Sequence, residues 1–170
     1  MHRARRTMTF VATLLALGAG CGAPLPTTPL AHTFADPEHL ARAVLDALAH
    51  NDVESLSALA LTEREFREHV WPELPASRPE RNLPFDYVWG QLKQRSDHSL
   101  RQILARYGGR RLELVGVDFD GETTRYTTFL VRRASSLRVK DHEGQESNVK
   151  LFGSVMVQAA RHKLFSFVVD

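Results

Sequence analysis

The chain has 170 residues with 22 Lys and Arg against 20 Asp and Glu, is 43% hydrophobic, and contains one cysteine. One cysteine excludes an internal disulfide framework and a thiolate-rich zinc site, and a formal charge of +2 is too small to argue for nucleic-acid binding. The length suits a single domain with one core once N-terminal targeting residues are set aside.

Residues 1–20 have the layout of a secretory signal. His2, Arg3, Arg5 and Arg6 form a charged start, Met8 to Leu17 form a short apolar run, and small residues follow. The run is far shorter than the roughly 20 residues a membrane-spanning helix needs. Arg3, Arg5 and Arg6 leave with the signal and no acid does, so 19 basic residues then face 20 acidic ones, a net of −1. Basic pairs remain at Arg110-Arg111 and Arg132-Arg133, where a solvated or salt-bridged surface is the expectation.

The segment closes on Leu17-Gly18-Ala19-Gly20-Cys21. This run resembles the lipobox of bacterial lipoproteins. Ala19, Gly20 and Cys21 fit it, and Gly18 stands where Leu is usual. The resemblance implies a lipidation site at Cys21, with a diacylglyceryl thioether, an amine-linked palmitate-type chain, and the membrane as partner. Gly22, in place of the Asp associated with inner-membrane retention, implies the outer membrane facing the periplasm. The alternative is plain cleavage near Gly20 or after Ala23, which gives a secreted protein. From Cys21 to Ala35 the proline- and threonine-rich composition predicts a tether, and residues 36–170 are expected to form one α+β domain.

In that domain Asp36 is placed to cap a helix with Pro37 at its first position, and Leu40, Val44, Ala47 and Leu48 recur at helical spacing to about Asn51. Asp52 caps a second, short helix through Leu56, Leu59 and Ala60. Thr62-Glu63-Arg64-Glu65 has capping-box spacing and predicts a third helix to about Trp71. Prolines 72, 75, 79 and 84 mark a loop. Phe85, Val88, Trp89 and Leu92, then Leu100, Ile103, Leu104 and Tyr107, resume a helical stripe, with a cap at Ser96-Asp97 predicted to split it and Gly108-Gly109 to end it.

Beyond Arg110 the period becomes alternating. About five antiparallel strands are expected: Leu112–Val117, Arg125–Val131, Leu137–Lys140, Val149–Gln158 and Lys163–Val169. Asp120-Gly121 is placed as a hairpin turn and Gly153 as a bulge that curves the sheet. Alternation puts Phe165, Phe167 and Val169 on one face and Leu164 and Val168 on the other. In the strand before, it sets Phe152 and Met156 against Val149, Leu151, Val155 and Val157. Both faces are thus partly apolar. Helices take one, and the other awaits a protein partner, a small apolar ligand in a cavity, or a second copy of the chain making a homodimer.

Two runs carry a second resemblance. Leu45-Asp46-Ala47-Leu48-Ala49-His50-Asn51-Asp52-Val53-Glu54-Ser55-Leu56 opens the helices, and Lys163-Leu164-Phe165-Ser166-Phe167 closes the meander. This order is similar to the nuclear transport factor 2-like, cystatin-related cone fold. The resemblance implies N-terminal helices packed on a curved C-terminal antiparallel sheet. Its members include ketosteroid-isomerase-like and SnoaL-like enzymes, which use an Asp or His base in the cone, and noncatalytic binding or assembly modules.

Acid/base chemistry would need an ionisable group beside a hydrogen-bond donor in a dry pocket. The candidates for such a pocket are Trp71, Asp86, Tyr87, Trp89, His98 (beside Asp97) and Tyr126. Histidines 32, 39, 50, 69, 98, 142 and 162 include no two at a four-residue helical spacing, and no nucleotide or Ser-elbow motif occurs, so no metal or cofactor is expected. The sequence predicts a lipid-anchored envelope lipoprotein with a noncatalytic binding or assembly domain. The alternative is a small-molecule enzyme of the ketosteroid-isomerase/SnoaL type. A noncatalytic domain is expected to fill its interior with residues such as Phe152, Phe165 and Phe167, whereas an enzyme needs a deep pocket holding a buried ionisable group.

Overall fold

The structure, a computed structural model, describes residues 28–169. The signal, Cys21 and the tether as far as Thr27 lie outside the described residues.

Local capping chemistry sets the first helices. Asp36 accepts the His39 N–H at 2.8 Å and starts α1 (Pro37–Ala49). Asn51, in the left-handed region at φ 54°, turns the chain into α2 (Val53–Leu59), which Asp52 caps through the Ser55 N–H. The capping box between Thr62 and Glu65 forms as expected and opens α3 (Glu63–Glu65). This turn runs on into a π-turn, Phe66–Val70, and a 3-10 turn, Trp71–Glu73. The π-turn closes by a bond from the Trp71 N–H to the Phe66 carbonyl, and Pro72 has no N–H with which to continue the regular ladder. Short turns at Pro75–Ser77 and Pro79–Arg81 then lead to α4 (Phe85–Tyr107).

The predicted break in α4 at Ser96-Asp97 does not occur, and the helix runs unbroken for 23 residues. Both capping side chains are engaged elsewhere: the buried Ser96 hydroxyl accepts the Phe167 N–H at 3.0 Å, and Asp97 pairs with Lys93 one turn back.

The described residues form an α+β fold, with helices first and seven strands after them. One antiparallel sheet has the order β1 (Glu113–Phe119), β4 (Ser135–Lys140), β5 (Glu146–Val149). The other has the order β2 (Thr124–Arg125), β3 (Leu130–Arg133), β6 (Ser154–Gln158), β7 (Arg161–Ser166). The two sheets are joined through the chain. β1 leads to β2, β3 to β4 and β5 to β6, and the bends are bridged by the Asp120 N–H to the Ala134 carbonyl, Gly121 to Arg133 and Ser135 to Gly153. The result is one meander of long bent strands. Ala134, at φ 52°, and Gly153 sit in the bend, and a Cβ on Gly153 would overlap the Val168 carbonyl oxygen.

Asp120-Gly121 is therefore inside an arm and is not the hairpin turn. The reversal comes at Tyr126–Phe129, closed by the Tyr126 N–H to the Phe129 carbonyl, which divides the expected strand Arg125–Val131 in two. Glu73, distant in sequence, accepts the N–H groups of Thr127 and Thr128 and fixes this turn from outside.

Two apolar clusters lie on opposite faces of β6–β7. Leu40, Val44, Leu48 and Leu56 from α1 and α2 pack on Leu137, Val155 and Leu164. On the other face Phe66, Val70 and the first half of α4, with Phe85 and Trp89, pack on Val131, Met156 and Phe165. The face for which the sequence left a cover open is thus covered here by the chain's own helical turns. Two placements depart from simple alternation: Phe167 joins the cluster opposite Phe165, and Phe152 joins Val155, not Met156. In β7 one residue is extra, since Val155 pairs with Leu164 but Ser154 pairs with Ser166. Phe152 lies in the link between β5 and β6, outside both ladders.

Candidate functional site

The six candidate pocket residues do not converge. Asp86 is in the first turn of α4, exposed, 3.6 Å from the guanidinium of Arg67; it does not cap the helix, whose N-cap is Pro84. Tyr87 is 59% exposed. His98 faces solvent and meets the Gln102 amide at 3.0 Å. Trp71 packs edge-on against Phe85, Trp89 lies against Phe66, and Tyr126 stacks on Phe129, so the aromatic candidates are apolar packing. Asp86 and His98 are both exposed, so neither ionisable candidate sits in a dry cavity with Tyr87 or Tyr126.

The space between α4 and β7 is nearly filled. Phe152 and Phe167 are buried, and Phe165 and Trp89 wall a residual cavity of about 50 Å³ that also touches Asp97. Such a volume holds a water or two and is far below the several hundred Å³ of a small-molecule site. Among the described residues no group of three or more His, Cys, Asp or Glu is placed to hold a metal ion, and no helix is long and apolar enough to cross a membrane.

Buried polar chemistry is concentrated elsewhere, beneath residues 28–34. This strap lies over α3 and along the outer edge of β7. Lys163 is 0% exposed, Glu65 3% and His69 4%. Lys163 Nζ is 3.5 Å from Glu65 Oε2 and donates to the carbonyls of Ala31 at 2.9 Å and Ala58 at 3.3 Å. Glu65 accepts the N–H groups of Ala31 at 2.7 Å and Thr62 at 2.9 Å. His69 bridges the side-chain oxygen of Gln158, at 2.9 Å, and the Thr28 carbonyl, at 2.8 Å.

Burial alone would raise the Glu65 pKa. The N–H bonds from Thr62 and Ala31 and the charge of Lys163 outweigh it and hold the carboxyl below its ordinary 4.5. Burial pulls the Lys163 ammonium below its ordinary 10.5, with the Glu65 carboxylate opposing.

Main-chain pairing completes the strap: Phe34 and His162 exchange both hydrogen bonds, at 2.9 and 2.8 Å. Arg161 donates to the Thr33 carbonyl at 2.6 Å and to its hydroxyl at 3.2 Å. A concavity of about 670 Å³ opens to solvent beside Thr28, Leu30, His69, Thr128, Gln158 and Arg161.

Sequence reasoning read Glu65 as a capping residue and Lys163 as part of a strand, and did not single out His69. One signal was available, since Lys163 shares the strand parity of Phe165 within an apolar strand, where a solvent-facing lysine would have to oppose it. Compared with protein-family models, with curated proteins and with solved structures, the chain finds no match.

Proposed function

We propose that the protein is an exported lipoprotein, held by an acylated Cys21 at the envelope and facing the periplasm from the outer membrane, whose domain is a noncatalytic binding or assembly module. The observation that carries the domain's role is its filled interior. The space between α4 and β7 is filled by Trp89, Leu100, Phe165 and Phe167, with about 50 Å³ left over, and Phe152 is buried in the cluster on the other face. The buried charges point the same way. Glu65 and Lys163 neutralise each other and spend their remaining bonds on main-chain groups and the Thr62 hydroxyl, so neither offers a free acid or base to a substrate.

The anchor follows from the charged start, the short apolar run and the small residues before Cys21. Two or more acyl chains give stable attachment, at about 0.8 kcal/mol per buried methylene. Cell fractionation tests it: the wild-type chain partitions with membranes and Cys21→Ala with the soluble fraction. Equal partitioning of the two would end the proposal.

A further inference from the structure

We propose that the groove between α3 and the β7 edge is a peptide-binding site, filled in the present state by the chain's own strap. It rests on the binding-module reading and names that module's partner class: a segment of another protein carrying an aliphatic residue and, four positions on, an aromatic one.

The contacts are directed at main chain. Among the described residues the strap's partners engage six main-chain groups, the carbonyls of Thr28, Ala31, Thr33 and Phe34 and the N–H groups of Ala31 and Phe34, and one side chain, the Thr33 hydroxyl. Glu65 and Lys163 read only N–H and carbonyl groups of the strap and impose no side-chain identity on the occupant, whereas Arg161 also reads the Thr33 hydroxyl. Main-chain pairing with β7 is one bridge, Phe34 to His162, because the same edge at Leu164 is taken by Ala60 and the Leu61 N–H; that bridge uses the strand-addition mode by which sheet edges take peptides. Identity is read at two positions. Leu30 packs with the Phe66–Met156 cluster and Phe34 with the Leu164–Val155 cluster, while Pro29, Ala31 and His32 face solvent. The occupant also needs a residue that tolerates the left-handed conformation of His32, at φ 46°.

The site is built before any partner arrives. Glu65, His69 and Lys163, all buried with the strap seated, each also keep a partner outside it: the Thr62 N–H at 2.9 Å, the Gln158 side chain at 2.9 Å and the Ala58 carbonyl at 3.3 Å. The concavity of about 670 Å³ runs along the flank of the strap, beside Thr28, Leu30 and Thr33, and leaves room there for bulkier side chains on an occupant. Because the strap is tethered, it competes at an effective concentration on the order of millimolar. A partner therefore gains access when the strap lifts.

A fluorescein-labelled peptide with the sequence of residues 27–35 is the probe, and fluorescence anisotropy on the full mature chain is the readout. Leu30→Asp weakens the strap in its own seat, so this chain is expected to bind the peptide at least tenfold more tightly than wild type does. The same peptide with Asp in place of its leucine should not bind. A Leu30→Asp chain with native tryptophan emission that binds no more tightly than wild type overturns the proposal. If Leu30→Asp does not fold, hydrogen exchange on the wild-type chain decides: the amides of Ala31 and Phe34 should exchange at least tenfold faster than those of β6–β7, by local opening of the strap. One common rate for both sets overturns it. A doubled mass without added peptide would assign the groove to the strap of a second copy and also overturn it. The terminus of the same sample, read by mass, separates the two proposals, since an acylated chain that binds no peptide loses only this one.

Discussion

Lys163 and Glu65 carry the largest electrostatic stake of any residues in the described chain, because each is buried and each would be left uncompensated without the other. Removing one partner of such a pair costs about 3–5 kcal/mol, whereas replacing both by apolar side chains of similar volume is often neutral. Glu65→Ala and Lys163→Ala should each lower the unfolding free energy read from urea titration by an amount in that range, and the double variant Glu65→Leu, Lys163→Met should recover most of the loss. The folded-state pKa of Glu65 lies below its ordinary value, so its contribution is present above pH 4.5 and is lost as pH falls through the folded value. Acid titration of wild type should show this loss below pH 4.5, and Glu65→Gln should flatten it. Asp86 and His98 make the opposite prediction. Both are exposed and neither lines a cavity, so alanine at either should shift stability by less than about 0.5 kcal/mol in thermal unfolding. The capping aspartates and the Thr62 box were legible in the sequence because their partners lie within three residues. Glu65 with Lys163, and Glu73 with Thr127 and Thr128, were not, because their partners lie far along the chain.

Among the elements, helices α1 and α2 follow their local code closely, and Asp36→Ala should cost about 1 kcal/mol through the lost cap. The sheet is where local reading fell short. Its strands are long arms that bend, and the bend interrupts the alternation on which face assignments depend. Gly153 sits in that bend, between β5 and β6, and not in mid-strand as the bulge the sequence suggested. Glycine is required there by a close backbone approach: any side chain meets the Val168 carbonyl. Gly153→Ala should destabilise the fold by more than the 1 kcal/mol typical of an interior substitution, read as a fall in unfolding temperature, with the β5–β6 link as the first region to lose amide protection. The unbroken α4 teaches the complementary lesson. Ser96-Asp97 has the composition of a helix start, yet Ser96 serves Phe167 and Asp97 serves Lys93, so capping chemistry was present without a cap.

For the whole molecule, the proposal joins an N-terminal lipidation signal to a domain whose interior is packed and whose buried polar groups hold the segment leading back to that signal. With residues 28–34 seated on the domain, the chain between Gly22 and Thr27 spans at most about 20 Å even when fully extended. If Cys21 is acylated as proposed, the domain would stand close to the bilayer surface, and lifting the strap would let it stand further off. Mass spectrometry of the native N-terminus tests this account most directly. It predicts a chain that begins at Cys21 and carries the added mass of a diacylglyceryl group, with or without a further acyl chain on the amine. An unmodified terminus after Ala23 would contradict it.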